Sequence, residues 1–211
     1  MSDIPSWAYS SVASILEALK KTDPETYRHC LRVGQYSRML AKSAGFDEYQ
    51  QKISEFAGML HDVGKMGVSQ HIIQKPGKLT PEEYHQMMEH PVYSAELLKP
   101  LEQHEFFKSV LPAVKHHHER FDGEGYPDKL ADETIPVHSR IILLVDTLDA
   151  MGQDRAYRKG LPIEVIYKEI RKFAGTQFDP QLARIFLESH RFWGQHKIDP
   201  QTHEEIIKKA A

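Results

Sequence analysis

Cysteine is nearly absent from this sequence. The 211 residues include a single cysteine, Cys30, which excludes an internal disulfide framework and a zinc site built from several thiolates. Such a chain suits a reducing compartment, because disulfides persist mainly in oxidising ones. We therefore expect a cytoplasmic protein.

Long apolar runs and an excess of one charge are absent too. The longest aliphatic run covers residues 141–145, whereas a membrane-spanning helix needs about 20 apolar residues. Residues 1–5 lack the basic and apolar regions of a signal peptide. Lysine and arginine number 27 against 30 aspartate and glutamate residues, for a net charge of -3. This balance does not favour a membrane surface or a nucleic-acid polymer as partner.

The sequence also lacks the alternating pattern of β-strands, and its apolar residues recur at helical spacing. Proline or a capping residue starts several of the segments. Helices are predicted at about residues 7–20, 23–45, 48–60, 80–90, 91–98, 102–119, 137–151, 162–173, 180–190 and 200–209. We predict an all-α fold, a single compact helical bundle, with residues 1–22 as a short N-terminal helical extension and residues 23–211 as the main domain.

What the sequence has in abundance is histidine, with 13 residues. Glu25 and His29 lie four residues apart and so share one face of a predicted helix. His61 and Asp62 follow an apolar helix, and His90 starts another. Taken singly, each of these features is more simply explained without a metal, as a solvated helix face, a helix cap or a structural hydrogen bond.

His116, His117 and His118 are consecutive. Neighbours on a helix point about 100° apart, so three in a row do not readily bind one ion, although two could face one cavity. We assign His118 to solvent, because Glu119 and Arg120 continue the polar character of the segment.

Asp146 lies within a strongly apolar helix, and Asp149 follows one turn later. A buried carboxylate must be paired, neutralised or bound to a metal, so Asp146 is the strongest single candidate for a ligand. A structural salt bridge is the alternative interpretation, and Asp149 is expected to be the more exposed acid.

The candidate ligands are then five histidines and three carboxylates, without a thiolate. Such a set suits iron or manganese, and also zinc, nickel or cobalt. Eight ligands exceed one tetrahedral site and favour two or three ions in the core of the bundle.

The sequence contains a series of short motifs that resembles, in content and in order along the chain, the motifs of the HD-GYP family, a branch of the HD metal-dependent phosphohydrolases. The resemblance covers residues 23–187 and is carried by residues 61–65 (HDVGK), 75–80 (KPGKLT), 90–91 (HP), 116–127 (HHHERFDGEGYP), 135–136, 140–141, 146–151, 154–158 (DRAYR) and 175–180 (GTQFDP).

The resemblance implies a metal-dependent phosphodiesterase that hydrolyses the bacterial second messenger cyclic di-GMP to pGpG, GMP or both, by attack of a metal-bridging hydroxide. The implied metal ligands are Glu25, His29, His61, Asp62, His90, His116, His117 and Asp146. Glu25 matches the glutamate of members with three metals, and iron or manganese is the implied metal. Asp62 and Lys65 take the catalytic positions, and Tyr126, Arg155 and Arg158 the substrate-binding ones.

Three positions depart from the family pattern. Ser94, Lys129 and Asp132 stand where the family usually has glycine. None is a predicted ligand, but Lys129 and Asp132 alter a loop near the expected pocket and so bear on substrate preference.

Other functions stay open at this level. One is a different HD-superfamily enzyme, such as a nucleotide phosphohydrolase or a phosphodiesterase for a hybrid cyclic dinucleotide. Others are a non-catalytic signalling module that binds cyclic dinucleotides and a structural or oxygen-binding metalloprotein. Protein partners in signalling and homodimerisation are likewise left open.

Overall fold

The fold is a bundle of α-helices, seen in a computed structural model that describes residues 4–154 and 159–195. The helices are α1 (Ser6–Thr22), α2 (Pro24–Ser43), α3 (Glu48–Leu60), α4 (Gln70–Ile73), α5 (Pro81–Met87), α6 (His90–Leu98), α7 (Glu105–Lys115), α8 (Val137–Gly152), α9 (Ile163–Lys172) and α10 (Pro180–Ser189). Short 3₁₀ helices cover Val63–Gly67, Lys99–Gln103, Asp132–Thr134 and His190–Gln195. The described residues contain no β-strand, and the all-α prediction is confirmed.

Local sequence determines where several helices begin. The Asp23 side chain accepts hydrogen bonds from the backbone N–H groups of Glu25 and Thr26, and so caps α2 ahead of Pro24. Thr80 and Glu83 form a reciprocal capping box at the start of α5. The predicted helix at residues 200–209 lies outside the described residues.

One helix is shorter than predicted. The sequence favoured a helix over residues 102–119, but α7 ends at Lys115, and His116 leaves helical geometry. Residues 116–119 form a turn in which Glu119 N–H donates to the carbonyl of His116. This early end turns the three histidines out of a regular helix, so a helical wheel misplaces them.

The core lies among α2, α3, α7 and α8, and α1 contributes to it. Val12, Leu16 and Leu19 of α1 are fully buried in the same apolar cluster as the central helices. The predicted boundary after residue 22 is not tested by this packing and stays a prediction. Among the described residues, no helix combines the length and apolarity needed to cross a membrane.

His138 is a buried residue of α8, and it should make the free energy of unfolding depend on pH. Its Nδ1 lies 2.8 Å from Ser54 Oγ, and burial lowers its pKa from 6.5 to about 4. The unfolded chain therefore binds the proton more tightly, and stability is lost as pH falls from 6.5 towards 4. We expect a loss of about 1.4 kcal/mol at pH 5.5 relative to pH 7.5 from this residue.

The measurement is urea unfolding of the metal-free protein at the two pH values, for the unsubstituted chain and for His138→Gln. The glutamine is neutral throughout, so its variant should show a smaller pH dependence. Equal pH dependence in both proteins would contradict this prediction.

Candidate metal centre

Five separate segments bring histidine and aspartate side chains together. α2 provides His29, the end of α3 and the following turn provide His61 and Asp62, and α6 begins with His90. The turn after α7 provides His117 and His118, and α8 provides Asp146. Three groups have ligand atoms within 4.8 Å of one another, and they are His29–His61–Asp146, His61–Asp62–His117 and His90–His117–His118. The groups share His61 and His117, so they form one continuous centre.

Backbone carbonyls fix the orientation of three rings. The Nδ1 atoms of His61, His90 and His117 lie 2.8, 2.7 and 2.6 Å from the carbonyl oxygen three residues earlier in each case. A carbonyl only accepts, so each Nδ1 carries a proton, and in the neutral ring each Nε2 then carries a lone pair. Burial also lowers the pKa of His61 and His117, which favours the neutral rings that metals bind.

The Nε2 atoms of these three rings point into the centre. His61 Nε2 is buried and lacks a hydrogen-bond partner among the described residues. His90 Nε2 and His117 Nε2 lie 3.2 Å apart, and two lone pairs at that distance repel unless a proton or a cation lies between them. The arrangement fits divalent metal ions, which take imidazole nitrogen and carboxylate oxygen as ligands.

Asp62 occupies the middle of the centre, with its two oxygens facing different neighbours. Oδ1 lies 3.1 Å from His90 Nε2. Oδ2 lies 2.5 Å from Lys65 Nζ and 3.6 Å from His29 Nε2. Burial opposes ionisation, but the nearby basic groups, Lys65 among them, hold the pKa of the Asp62 carboxyl well below its usual range. An ionised carboxylate placed in this way can be shared by two cations.

His29 is held by carboxylates on both sides of its ring. Nε2 lies 3.1 Å from Asp146 Oδ1, and Nδ1 lies 2.7 Å from Asp149 Oδ2. Burial would lower the pKa of His29, but the two carboxylates raise it to about 9. Asp149 also accepts two hydrogen bonds from the Arg32 guanidinium, at 2.6 and 2.8 Å.

The expectation that Asp149 is the more exposed acid is therefore wrong. Its side chain is 2% exposed against 18% for Asp146. Burial is tolerated because Arg32 and His29 together satisfy both carboxylate oxygens.

His116 and His118 exchange the positions that the sequence predicted for them. His118 lies in the centre with His90 and His117, and its ring stacks on Tyr126 with centroids 4.7 Å apart. His116 belongs to none of the three groups. Its Nδ1 faces the carbonyl of Pro112 and its Nε2 lies 2.9 Å from Asp128 Oδ2. The solvent assignment of His118 is wrong because Glu119, the polar neighbour on which it relied, is itself buried.

Of the other predicted site residues, two lie at the centre, one lies away from it and two fall outside the described residues. Lys65 lies beside Asp62, and Tyr126 covers His118. Glu25 is exposed in the first turn of α2 and belongs to none of the three groups found among the described residues. Arg155 and Arg158 lie outside the described residues.

Glu119 is a structural residue that the sequence did not identify. Its side chain is buried, and its two oxygens accept hydrogen bonds from the backbone N–H groups of Asp128 and Leu130 at 2.7 and 3.1 Å. These bonds fold the loop of residues 120–136 back onto the turn that carries His117 and His118. Tyr126 thereby comes to rest on the centre. The signal in the sequence was an acid directly after the histidines, before a loop rich in glycine.

Gly64 lies where the turn after α3 meets α6. A Cβ atom at Gly64 would be 2.1 Å from the carbonyl oxygen of His90 and 2.3 Å from the backbone nitrogen of Ser94. Only glycine allows this approach, which brings Asp62 against His90.

Lys129 and Asp132 are strained in the loop. Their φ angles are 55° and 52°, in the left-handed region that favours glycine. These are two of the positions at which the chain departs from the family pattern, so the loop keeps a glycine-like backbone without the glycines.

Replacing Lys129 by glycine should therefore stabilise the protein slightly. Relief of a left-handed conformation is worth about 1–2 kcal/mol, and the added freedom of glycine in the unfolded chain offsets about 0.5–1 kcal/mol of it. We expect a net gain of about 0.5 kcal/mol in the free energy of unfolding by urea. Lys129→Ala keeps the Cβ atom and should show no gain, and an equal gain in both variants would refute strain as the cause.

Comparison with known proteins places this arrangement in a family. The HD domain family profile matches residues 13–182. The Thermotoga maritima protein named cyclic di-GMP phosphodiesterase is 36% identical over 178 residues, which are 84% of this chain and 48% of that protein. The Vibrio cholerae protein named 3'3'-cGAMP-specific phosphodiesterase 2 is 32% identical over 89% of this chain and 36% of its own length. The chain thus spans half or less of these relatives.

Solved structures show the same fold at low sequence identity. A cyclic GMP-AMP specific phosphodiesterase from V. cholerae aligns with a TM-score of 0.65 at 18% identity, over 100% of this chain and 55% of that one. The HD domain of the L. monocytogenes phosphodiesterase PgpH in complex with cyclic-di-AMP aligns with a TM-score of 0.62 at 17% identity, over 87% of this chain and 97% of that one. The profile match, the relatives and the histidine–aspartate centre agree, and the chain belongs to the HD domain family, within its HD-GYP branch.

Proposed function

We propose that this chain is a metal-dependent phosphodiesterase that hydrolyses cyclic di-GMP to pGpG, GMP or both. The observation that carries the proposal is the buried centre in which Asp62 lies beside His90 Nε2 and beside His61 Nε2, a nitrogen without a hydrogen-bond partner among the described residues. The names of relatives such as the T. maritima cyclic di-GMP phosphodiesterase support the substrate. The ligands proposed are His29, His61, Asp62, His90, His117, His118 and Asp146.

Two or three divalent ions are proposed, with iron or manganese favoured by a donor set of imidazole and carboxylate without thiolate. Ions held there would supply Lewis-acid activation of water and positive charge for the phosphate oxygens. A third ion would need Glu25, which is exposed here, to turn towards His29. The third ion is therefore proposed on the resemblance.

Lys65 is proposed to act on the reacting phosphate. Burial would lower the pKa of its ammonium group, but Asp62 raises the pKa above its ordinary value, so the group stays charged. Its side chain is 24% exposed, at the edge of the centre. From there it can neutralise a phosphoryl oxygen or protonate the departing ribose oxygen.

The remaining contacts are proposed for the bases and the second phosphate. The Tyr126 ring, stacked on His118, presents an aromatic surface beside the centre on which a guanine base can stack. Arg155 and Arg158 are proposed to bind the second phosphate or a guanine edge, on the resemblance alone. A cytoplasmic location is proposed as well, for which the lone free thiol of Cys30 is the support.

A hybrid cyclic GMP-AMP substrate is the second candidate. Relatives at 32 to 35% identity carry that specificity in their names. In this chain the loop beside Tyr126 has Lys129 and Asp132 at glycine-like positions, which can change how a purine is accepted.

The test is turnover by anaerobically purified protein whose metals have been counted. Cyclic di-GMP and 3'3'-cGAMP are incubated separately with the protein loaded with manganese or iron, and the nucleotides are resolved by chromatography. Release of pGpG or GMP from cyclic di-GMP is the expected result. Faster cleavage of 3'3'-cGAMP would move the proposal to the hybrid substrate, and bound metal without cleavage of either would refute the phosphodiesterase function.

A further inference from the structure

Ser94 joins two of the segments that form the centre. It lies in α6, one helical turn after His90, and is completely buried. Its hydroxyl donates a hydrogen bond to the carbonyl of His61 and accepts one from the backbone N–H of Gly64, each at 2.7 Å. The two backbone groups flank Asp62 on either side.

Among the described side chains, Ser94 alone hydrogen-bonds to the His61 carbonyl and to the Gly64 N–H. The His61 carbonyl belongs to the last turn of α3, where helix carbonyls lack partners within their own helix. Gly64 packs so closely on α6 that a Cβ atom there would lie 2.7 Å from Ser94 Oγ. Removing the hydroxyl would leave a buried donor and a buried acceptor unpaired, and both would draw the turn away from α6.

We infer that Ser94 is a positioning residue of the metal centre, which sets His61 and Asp62 against His90 through the backbone. The inference rests on the metal centre of the proposed function but not on its substrate. The family pattern has glycine at this position, which leaves room for a water molecule to make the same two bonds. Alanine loses the hydroxyl but keeps the Cβ atom, which leaves less room for such a water molecule. The expected order of metal affinity is therefore serine, then glycine, then alanine.

The experiment measures manganese affinity by competition with a chromogenic chelator. It compares the unsubstituted chain with Ser94→Ala and Ser94→Gly. The matched control is Ser37→Ala, because Ser37 is equally buried and its hydroxyl has no hydrogen-bond partner among the described residues. Substitution of residues that orient metal ligands typically weakens binding about 10–100-fold, and we expect a loss in that range for Ser94→Ala. A smaller loss is expected for Ser94→Gly and none for Ser37→Ala.

Thermal unfolding of the metal-free proteins separates positioning from simple stability. A purely structural serine would lower the melting temperature of Ser94→Ala and leave manganese affinity unchanged, which would overturn the inference. If Ser94→Ala does not fold, Ser94→Cys decides, because the thiol keeps the shape of the side chain but hydrogen-bonds only weakly. Wild-type affinity in that variant would overturn the inference as well. Failure of the unsubstituted chain to bind manganese would instead overturn the metal centre and the proposed function together with this inference.

Discussion

Asp62→Asn should lower cyclic di-GMP turnover by about 10³-fold and reduce the manganese bound per chain. An amide keeps the shape of the side chain but removes its negative charge, and its nitrogen cannot accept a bond from Lys65 or ligate a cation. Metal ions contribute several kcal/mol of charge stabilisation to such reactions, and about 4 kcal/mol corresponds to about 10³ in rate. The measurements are initial rates with loaded enzyme and metal content by mass spectrometry.

The control for this substitution is Asp47→Asn. Asp47 is an exposed N-cap of α3, where asparagine caps as well as aspartate does. This variant should keep wild-type rates and metal content. An Asp62→Asn protein with wild-type turnover would remove Asp62 from the mechanism.

Gly64→Ala should destabilise the protein by about 3 kcal/mol. The new methyl group would lie 2.1 Å from the carbonyl oxygen of His90, so the turn and α6 must separate. Overpacking of a rigid backbone contact typically costs about 1–3 kcal/mol, and both neighbours here are backbone atoms that cannot rotate aside. Metal affinity should fall as well, because His90 moves away from Asp62.

Urea unfolding of the metal-free protein measures this effect, with Gly152→Ala for comparison. A Cβ atom at Gly152 would meet only Ile166 Cδ1, at an ordinary 3.5 Å. That variant should be nearly neutral. A neutral Gly64→Ala would show that α6 and the turn adjust freely and that their close contact does not shape the centre.

Features set by neighbouring residues in the chain could be predicted from the sequence. The cap of α2 by Asp23 and the capping box at Thr80 depend on side chains within three residues of the backbone groups they satisfy. Asp146 was recognisable because a carboxylate within an apolar helix needs a partner, whereas His61 and Asp62 were identified by the resemblance to the family. The structure brings these three together, and their role as ligands stays a prediction.

Features set by distant contacts could not be predicted. The turn that follows α7 is held to the next loop by Glu119, whose buried carboxylate accepts hydrogen bonds from backbone groups some ten residues later. The position of His118 beside His90 and His117 follows from that turn. The polar neighbours Glu119 and Arg120, on which its assignment to solvent relied, therefore did not indicate where it lies. Asp149 was misjudged for the same kind of reason, because Arg32, its partner, is 117 residues away in the chain.

The order of the ligand segments along the chain has a consequence for biosynthesis. The His90–His117–His118 group is complete once residue 118 has emerged from the ribosome, whereas the His29–His61–Asp146 group must wait for α8. The His61–Asp62–His117 group is complete at that point as well, so two of the three groups precede the third during synthesis. In the proposed centre, most of the residues that would hold metal are thus synthesised before Asp146 and the helix that carries it.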